Sequence, residues 1–98
     1  MKFTKTIGGR EFELKIYTVP GAASETLYAD YNLRIRQSNE AVDFWGDLPE
    51  TNLVHSWEQL AALSLRQIVQ SQKRETPPAR LSGYEIYLLN LWARELSS

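Results

Sequence analysis

The chain contains no cysteine and a single histidine, His55. Without cysteine there are no disulfides, no thiolate nucleophile and no cysteine-ligated zinc. One imidazole among scattered carboxylates leaves too few ligands for a histidine zinc centre, and the D-x-D-x-D-G loop that binds calcium does not occur. The sequence therefore predicts no metal site.

Signatures of catalysis and cofactor binding are missing as well. Gly8-Gly9 lies between two strand-like segments, which indicates a turn and not a phosphate-binding loop, and no Walker or dinucleotide fingerprint occurs. His55 directly precedes Ser56, and this adjacent pair lacks the separately placed base that a catalytic triad needs. We expect a protein that is not an enzyme and that has no catalytic or cofactor-binding residues.

Long apolar runs and a strong excess of charge are also absent. No stretch approaches the about 18 apolar residues of a membrane-spanning helix, and Met1 is followed by alternating lysine and threonine instead of an apolar signal core. The 11 basic and 12 acidic residues give a net charge of −1, so no bulk attraction to nucleic acid or to an anionic membrane follows. The sequence predicts a cytoplasmic protein that does not bind membranes.

The composition that remains is that of one small globular domain. With 98 residues, 43% of them hydrophobic and 23% charged, the sequence predicts a single domain over residues 1–98.

The first half of the chain alternates between apolar and polar residues, which indicates β-strands. Gly8-Gly9 predicts a two-residue hairpin turn that places Phe3 opposite Leu14. Strands are then expected at Arg10–Val19 and Thr26–Gln37, separated by a break at Pro20-Gly21 and a loop at Ala22–Glu25.

Cross-strand charge pairs suggest a register for the second and third strands. Pairing Ile16 with Ala29 sets Lys15 opposite Asp30 and Glu11 opposite Arg34, whereas one alternative register sets Glu13 opposite Asp30. After a turn at Ser38-Asn39-Glu40, residues 41–45 are a candidate for a short fourth strand, ended by Gly46 and Pro49.

Two helices follow. Ser56 begins the first with S-W-E-Q, a capping box, and the helix is expected to fade near Gln72–Glu75, before a stiff connector at Pro77–Arg80. Its predicted buried stripe is Trp57, Leu60, Ala61, Leu65, Ile68 and Val69, with Leu63 exposed.

The last helix, Leu81–Leu96, begins with a second capping box, Ser82 and Glu85. Its apolar arc is wider than one packed neighbour needs, and comprises Tyr84, Ile86, Leu88, Leu89, Leu91, Trp92, Ala93 and Leu96. We expect it to lie in the groove between the first helix and the sheet. The predicted fold is α+β, a three- or four-stranded antiparallel meander followed by two helices on one sheet face.

The segment between Arg36 and Arg66 contains acidic residues but no lysine or arginine. Tryptophan dominates binding energy at many protein interfaces, and surrounding acids orient a basic partner. One hypothesis makes this segment a protein-binding surface; the other makes its aromatic residues the end of the core. Strand alternation sends Phe44 and Trp45 to opposite faces, with Trp45 the expected exposed member. The candidate partner-binding residues are Asp43, Phe44, Trp45, Asp47, Leu48 and Glu50.

The outer sheet face offers an alternative, because aromatic residues interleaved with arginine can bind single-stranded nucleic acid. Its candidate residues are Tyr17, Tyr28, Arg34 and Arg36. The RNA-recognition signature is absent, and Glu11, Glu13 and Asp30 share the face, so a solvated face with cross-strand pairs is the favoured interpretation.

In general build the chain resembles the small stand-alone proteins that phages and mobile elements encode to inhibit host machinery, anti-CRISPR proteins among them. The resemblance rests on length, the lack of catalytic signatures, uneven charge and a βββαα plan, and carries over no residue. It implies a non-enzymatic inhibitor or adaptor that binds a protein partner with a basic surface. The alternatives are a nucleic-acid-binding protein and a structural subunit that assembles through the last helix. The expected oligomeric state is a monomer or a homodimer.

Overall fold

The structure is a computed structural model that describes residues 1–20, 27–48, 56–74 and 81–98. Four strands form one antiparallel sheet in the order β1-β2-β3-β4, and two helices pack on each other and on one sheet face. The elements are β1 (Lys2–Ile7), β2 (Arg10–Pro20), β3 (Leu27–Gln37), β4 (Glu40–Leu48), α1 (Trp57–Arg74) and α2 (Gly83–Ser97). The predicted α+β meander is confirmed, in its four-stranded form.

The β1–β2 hairpin has the predicted turn and register. Gly8 and Gly9 have φ angles of 60° and 78°, the positive values that a type I′ turn requires at both positions. Phe3 pairs with Leu14, as predicted. A Cβ atom at Gly8 would clash with the hydroxyl of Tyr84, so the turn also packs closely against the start of α2.

The predicted β2–β3 register is wrong by two residues. Ile16 pairs with Tyr31 instead of Ala29, and Lys15 pairs with Asn32 instead of Asp30. The observed register pairs the two eleven-residue strands end to end. It also forms charge pairs, Glu11 with Arg36 and Glu13 with Arg34, so charge alone does not distinguish the two registers. The longer ladder of backbone hydrogen bonds accounts for the difference.

Strand β4 is longer than predicted because it does not stop at Gly46. It runs through Gly46 to Leu48, and Tyr31 lies directly across the ladder from Gly46. A Cβ atom at position 46 would clash with the hydroxyl and ring of Tyr31. The glycine is therefore a site of close packing inside the strand and not a strand terminator.

The core lies between the sheet and the two helices. Phe12 and Trp92 form an aromatic contact within it, with ring centroids 6.0 Å apart. The predicted stripe of α1 is buried with one correction: Trp57 is 37% exposed, while Leu60, one turn later, is 8% exposed. Trp57 is the first residue of α1, so the end of the helix leaves part of its ring in solvent. Leu63 is exposed, as predicted.

Both helices begin at the predicted caps. The Gln59 amide donates to Ser56 Oγ over 3.1 Å. At α2 the capping box is complete: the Glu85 amide donates to Ser82 Oγ, and the Ser82 amide donates to the Glu85 carboxylate. Helix α1 ends at Arg74, within the predicted range. The predicted loop Ala22–Glu25 and connector Pro77–Arg80 lie outside the described residues.

Helix α2 contacts both the sheet and α1, as the groove prediction requires. Lys5 on β1 forms an ion pair with Glu95 at 2.8 Å, and Arg66 on α1 donates to Ser97 over 3.0 Å. Leu89 and Ala93 are buried. Tyr84, in the first turn of α2, is instead about half exposed, and the Arg10 guanidinium lies over its ring, 5.0 Å from the centroid. The apolar arc of α2 is thus largely covered within the chain.

Candidate protein-binding surface

The exposed part of the candidate surface lies on the sheet face opposite the helices, which we call the outer face. The two ladders fix which side chains are neighbours there, because directly opposite residues in an antiparallel pair point to the same face. Three neighbouring rows across β2, β3 and β4 contain the candidates: Glu13, Arg34 and Asp43; Lys15, Asn32 and Trp45; Tyr17, Asp30 and Asp47.

Trp45 is the most exposed large hydrophobic side chain among the described residues, at 72%. Its neighbour Phe44 points to the other face and is 4% exposed, so strand alternation predicts both correctly. Leu48 is likewise buried in the core, and Asp47 is exposed on the outer face. Of the candidate set, Trp45, Asp47 and Asp43 therefore lie together, whereas Phe44 and Leu48 support them from beneath.

Glu50, the remaining candidate, lies outside the described residues, as does His55.

Asp43 is held by Arg34 across the ladder. Arg34 Nε and Nη2 donate to the two carboxylate oxygens of Asp43, over 2.9 and 3.3 Å. The hydrogen bond to Asp43 raises the pKa of Arg34 above its ordinary value, and the charge of Glu13 raises it further. Much of the negative charge of Asp43 is therefore balanced within the protein, and Asp43 positions β3 against β4.

Asn32 lies beneath the exposed part of the surface. It is directly opposite Trp45 and only 5% exposed, although it belongs to the outer face. Its amide Nδ2 lies 3.3 Å from Asp43 Oδ1 and 3.4 Å from the Phe44 carbonyl oxygen, and donates to both. These contacts hold the backbone just before Trp45, so the indole projects from a fixed strand.

Asp30 and Asp47 are directly opposite each other on adjacent strands, and both are exposed. Like charges in this arrangement destabilise a sheet. No lysine or arginine of the described ranges forms an ion pair with either carboxylate. The surface beside Trp45 thus carries concentrated negative charge.

Sequence reasoning placed Asp30 on the outer face but did not include it in the candidate site. The turn between β3 and β4 was the signal that could have identified it. The predicted turn included Glu40, whereas Ser38 and Asn39 alone form it and Gln37 pairs with Glu40. That register, extended along the strands, brings Asp30 to Asp47. Ser38 has a φ of 56°, a positive value that identifies it as the first central residue of the turn.

The alternative nucleic-acid residues do not form an uninterrupted basic face. Tyr17 is about half exposed, but Arg34 is bound by Asp43, and Arg36 is directly opposite Glu11. The Tyr28 side chain lies outside the described residues. A shallow concavity of about 170 Å³ on this face is lined by both acids and bases, Glu11, Glu13, Arg34 and Arg36, together with Thr4 and Thr6.

Within the described ranges, no three histidine, cysteine or carboxylate residues are grouped closely enough to hold a metal ion. Neither described helix has the length and apolar character needed to cross a membrane. Burial raises the pKa of the Tyr31 hydroxyl above its ordinary value, and the charge of Asp47 raises it further. That hydroxyl is on the core side of the sheet, so its shift reflects packing beneath the candidate surface.

When the chain is compared with protein-family models, with curated proteins and with solved structures, nothing matches it.

Proposed function

We propose that this protein is a non-enzymatic protein-binding module, an inhibitor or adaptor of a larger host machine of the kind that phages and mobile elements target. Its binding surface consists of Trp45 and the flanking acids Asp30, Asp47 and Asp43. Its partner is a protein with a basic surface, in the cytoplasm.

The exposure of Trp45 carries the proposal. At 72% exposure, the indole contributes little to the core, and its removal from water would add binding energy on contact with a partner. Tryptophan is among the residues most enriched at the energetic centres of interfaces.

The charge around Trp45 indicates the kind of partner. The opposed carboxylates of Asp30 and Asp47 disfavour the isolated sheet, and a cation placed between them would relieve that repulsion. Complementary charge accelerates association and excludes wrong partners. A lysine or arginine of the partner beside Trp45 fits both the charge and the aromatic ring.

A capture experiment from host lysate tests the proposal. The wild type is compared with the double variant Trp45→Ala, Asp47→Lys. Asp43 is left unchanged because its loss would free Arg34 and disturb the fold. We expect the double variant to lose a partner that the wild type retains, while its far-UV circular dichroism stays the same.

The matched control is Tyr87→Ala, Glu58→Lys. It makes the same kinds of change at an exposed aromatic residue and an exposed acid on the helices, away from the outer face. We expect this control to retain the partner. Equal recovery by the wild type and the Trp45 double variant, with both folded, would rule out the proposed surface.

The two other functions remain alternatives with separate tests. A nucleic-acid binder would bind a mixed oligonucleotide most tightly at low salt, because counterion release drives such binding. A structural subunit that assembles through α2 would be oligomeric by light scattering. The burial of Leu89 and Ala93 weighs against this second alternative, because these residues are already covered within the chain.

A further inference from the structure

Strand β4 is at one end of the sheet, and no described strand pairs with its outer edge. In an antiparallel ladder, alternate residues bond to the neighbouring strand while the others direct their backbone groups away. The two-residue turn at Ser38-Asn39 makes Gln37 and Glu40 a hydrogen-bonded pair, so the even-numbered residues of β4 bond to β3. The backbone N–H and C=O groups of the odd-numbered residues, Trp45 and Asp47 among them, therefore point outward.

Trp45 and Asp47 also direct their side chains to the outer face. A strand added to β4 would therefore form backbone hydrogen bonds with Trp45 and Asp47, the residues whose side chains belong to the proposed binding surface. Directly opposite residues of an antiparallel pair share a face, so the added strand would direct its own hydrogen-bonded side chains toward Trp45 and Asp47.

We propose that β4 binds an extended segment of its protein partner as a fifth, antiparallel strand, with lysine or arginine at the alternate positions that face Trp45 and Asp47. This proposal rests on the proposed function and adds the mode of binding. Strand addition of this kind takes its affinity from main-chain hydrogen bonds and its specificity from alternate side chains.

Charge selects a basic segment and disfavours a second copy of the chain. Pairing β4 with β4 of another copy around Trp45 would bring Asp43 opposite Asp47, a repulsive arrangement. The strand at the other end of the sheet, β1, has its lysines engaged within the chain: Lys2 lies 4.0 Å from Glu13, and Lys5 lies 2.8 Å from Glu95. Lysines on an edge strand also discourage pairing. A partner strand with unengaged cations is thus the best complement to β4.

The test uses a synthetic peptide of alternating lysine and threonine, as long as β4, and two N-methylated forms of it. In the proposed pairing the lysine amides face β4 and the threonine amides face solvent. We expect methylation of the lysine amides to weaken binding to the wild-type protein by about tenfold or more, because it removes the donors and adds bulk at the shared edge. Methylation of the threonine amides should leave the affinity unchanged. Isothermal titration calorimetry at low salt measures all three affinities.

Equal binding of the two methylated peptides would overturn strand addition, because it would mean that charge alone attracts the peptide. No binding of the unmodified peptide at low salt would overturn it as well. These outcomes are distinct from failure of the proposed function, which is judged by capture of the natural partner with the Trp45→Ala, Asp47→Lys variant.

Discussion

The ring of Tyr31 lies over Gly46 across the β3–β4 ladder, where a Cβ atom at position 46 would clash with the tyrosine hydroxyl. This contact lets β4 continue past Trp45 to Leu48, so that the tryptophan lies within a paired strand and not at its end. The core side of the sheet therefore determines how the proposed binding residue is presented on the outer face.

The first prediction concerns this contact. Gly46→Ala should lower the free energy of unfolding by about 1–3 kcal/mol, the usual cost of overpacking a filled site. The control is Gly83→Ala, because nothing lies within 4 Å of a Cβ atom there. We expect that change to be neutral or slightly stabilising. Urea unfolding followed by circular dichroism measures both, and equal midpoints for the two variants would contradict the packing account.

The second prediction concerns pH. Burial raises the pKa of Tyr31 above its ordinary value of 10.0, so this tyrosine ionises more readily in the unfolded chain than in the folded protein. Its contribution to stability is complete below pH 10.0 and is lost as the pH rises from there through the folded-state pKa. Tyr31→Phe should make stability fall less steeply in this alkaline range. Urea midpoints across the range test this, and parallel slopes for Tyr31→Phe and wild type would refute it.

The third prediction separates the tryptophans by role. Trp92 is buried against Phe12, so Trp92→Ala should cost about 3–5 kcal/mol of unfolding free energy. Trp45 is mostly in solvent, so Trp45→Ala should change stability by no more than about 0.5 kcal/mol. Urea unfolding followed by circular dichroism measures both changes in unfolding free energy. A large loss for Trp45→Ala would mean that the indole has a structural role and weaken its assignment to binding.

The sequence predicts the local features of the fold well because these depend on neighbouring residues. Alternation identifies the strands, Gly8-Gly9 determines the first hairpin, and Ser82 with Glu85 determines the start of α2. The β2–β3 register was not predictable from charge. Glutamates stand two residues apart on β2 and arginines two residues apart on β3, so opposite charges pair in both registers.

The candidate surface was predictable in part. Alternation alone gives the exposure of Trp45 and the burial of Phe44. The pairing of Asp30 with Asp47 and of Arg34 with Asp43 depends on the β3–β4 register, which requires the turn to be assigned to Ser38-Asn39. Gly46 was predicted to end the strand. The ring that packs over it belongs to Tyr31, which is distant in sequence, so the local pattern does not reveal why a glycine is needed inside the strand. Long-range contacts of this kind are what the sequence leaves open.

The most direct test of the proposed function is the affinity of the captured partner for Trp45→Ala, measured by calorimetry beside the wild type and Tyr87→Ala. The account predicts a loss of about 2 kcal/mol or more for Trp45→Ala, the range of an interface hot spot, and an unchanged affinity for Tyr87→Ala. Wild-type affinity for the folded Trp45→Ala protein would contradict it.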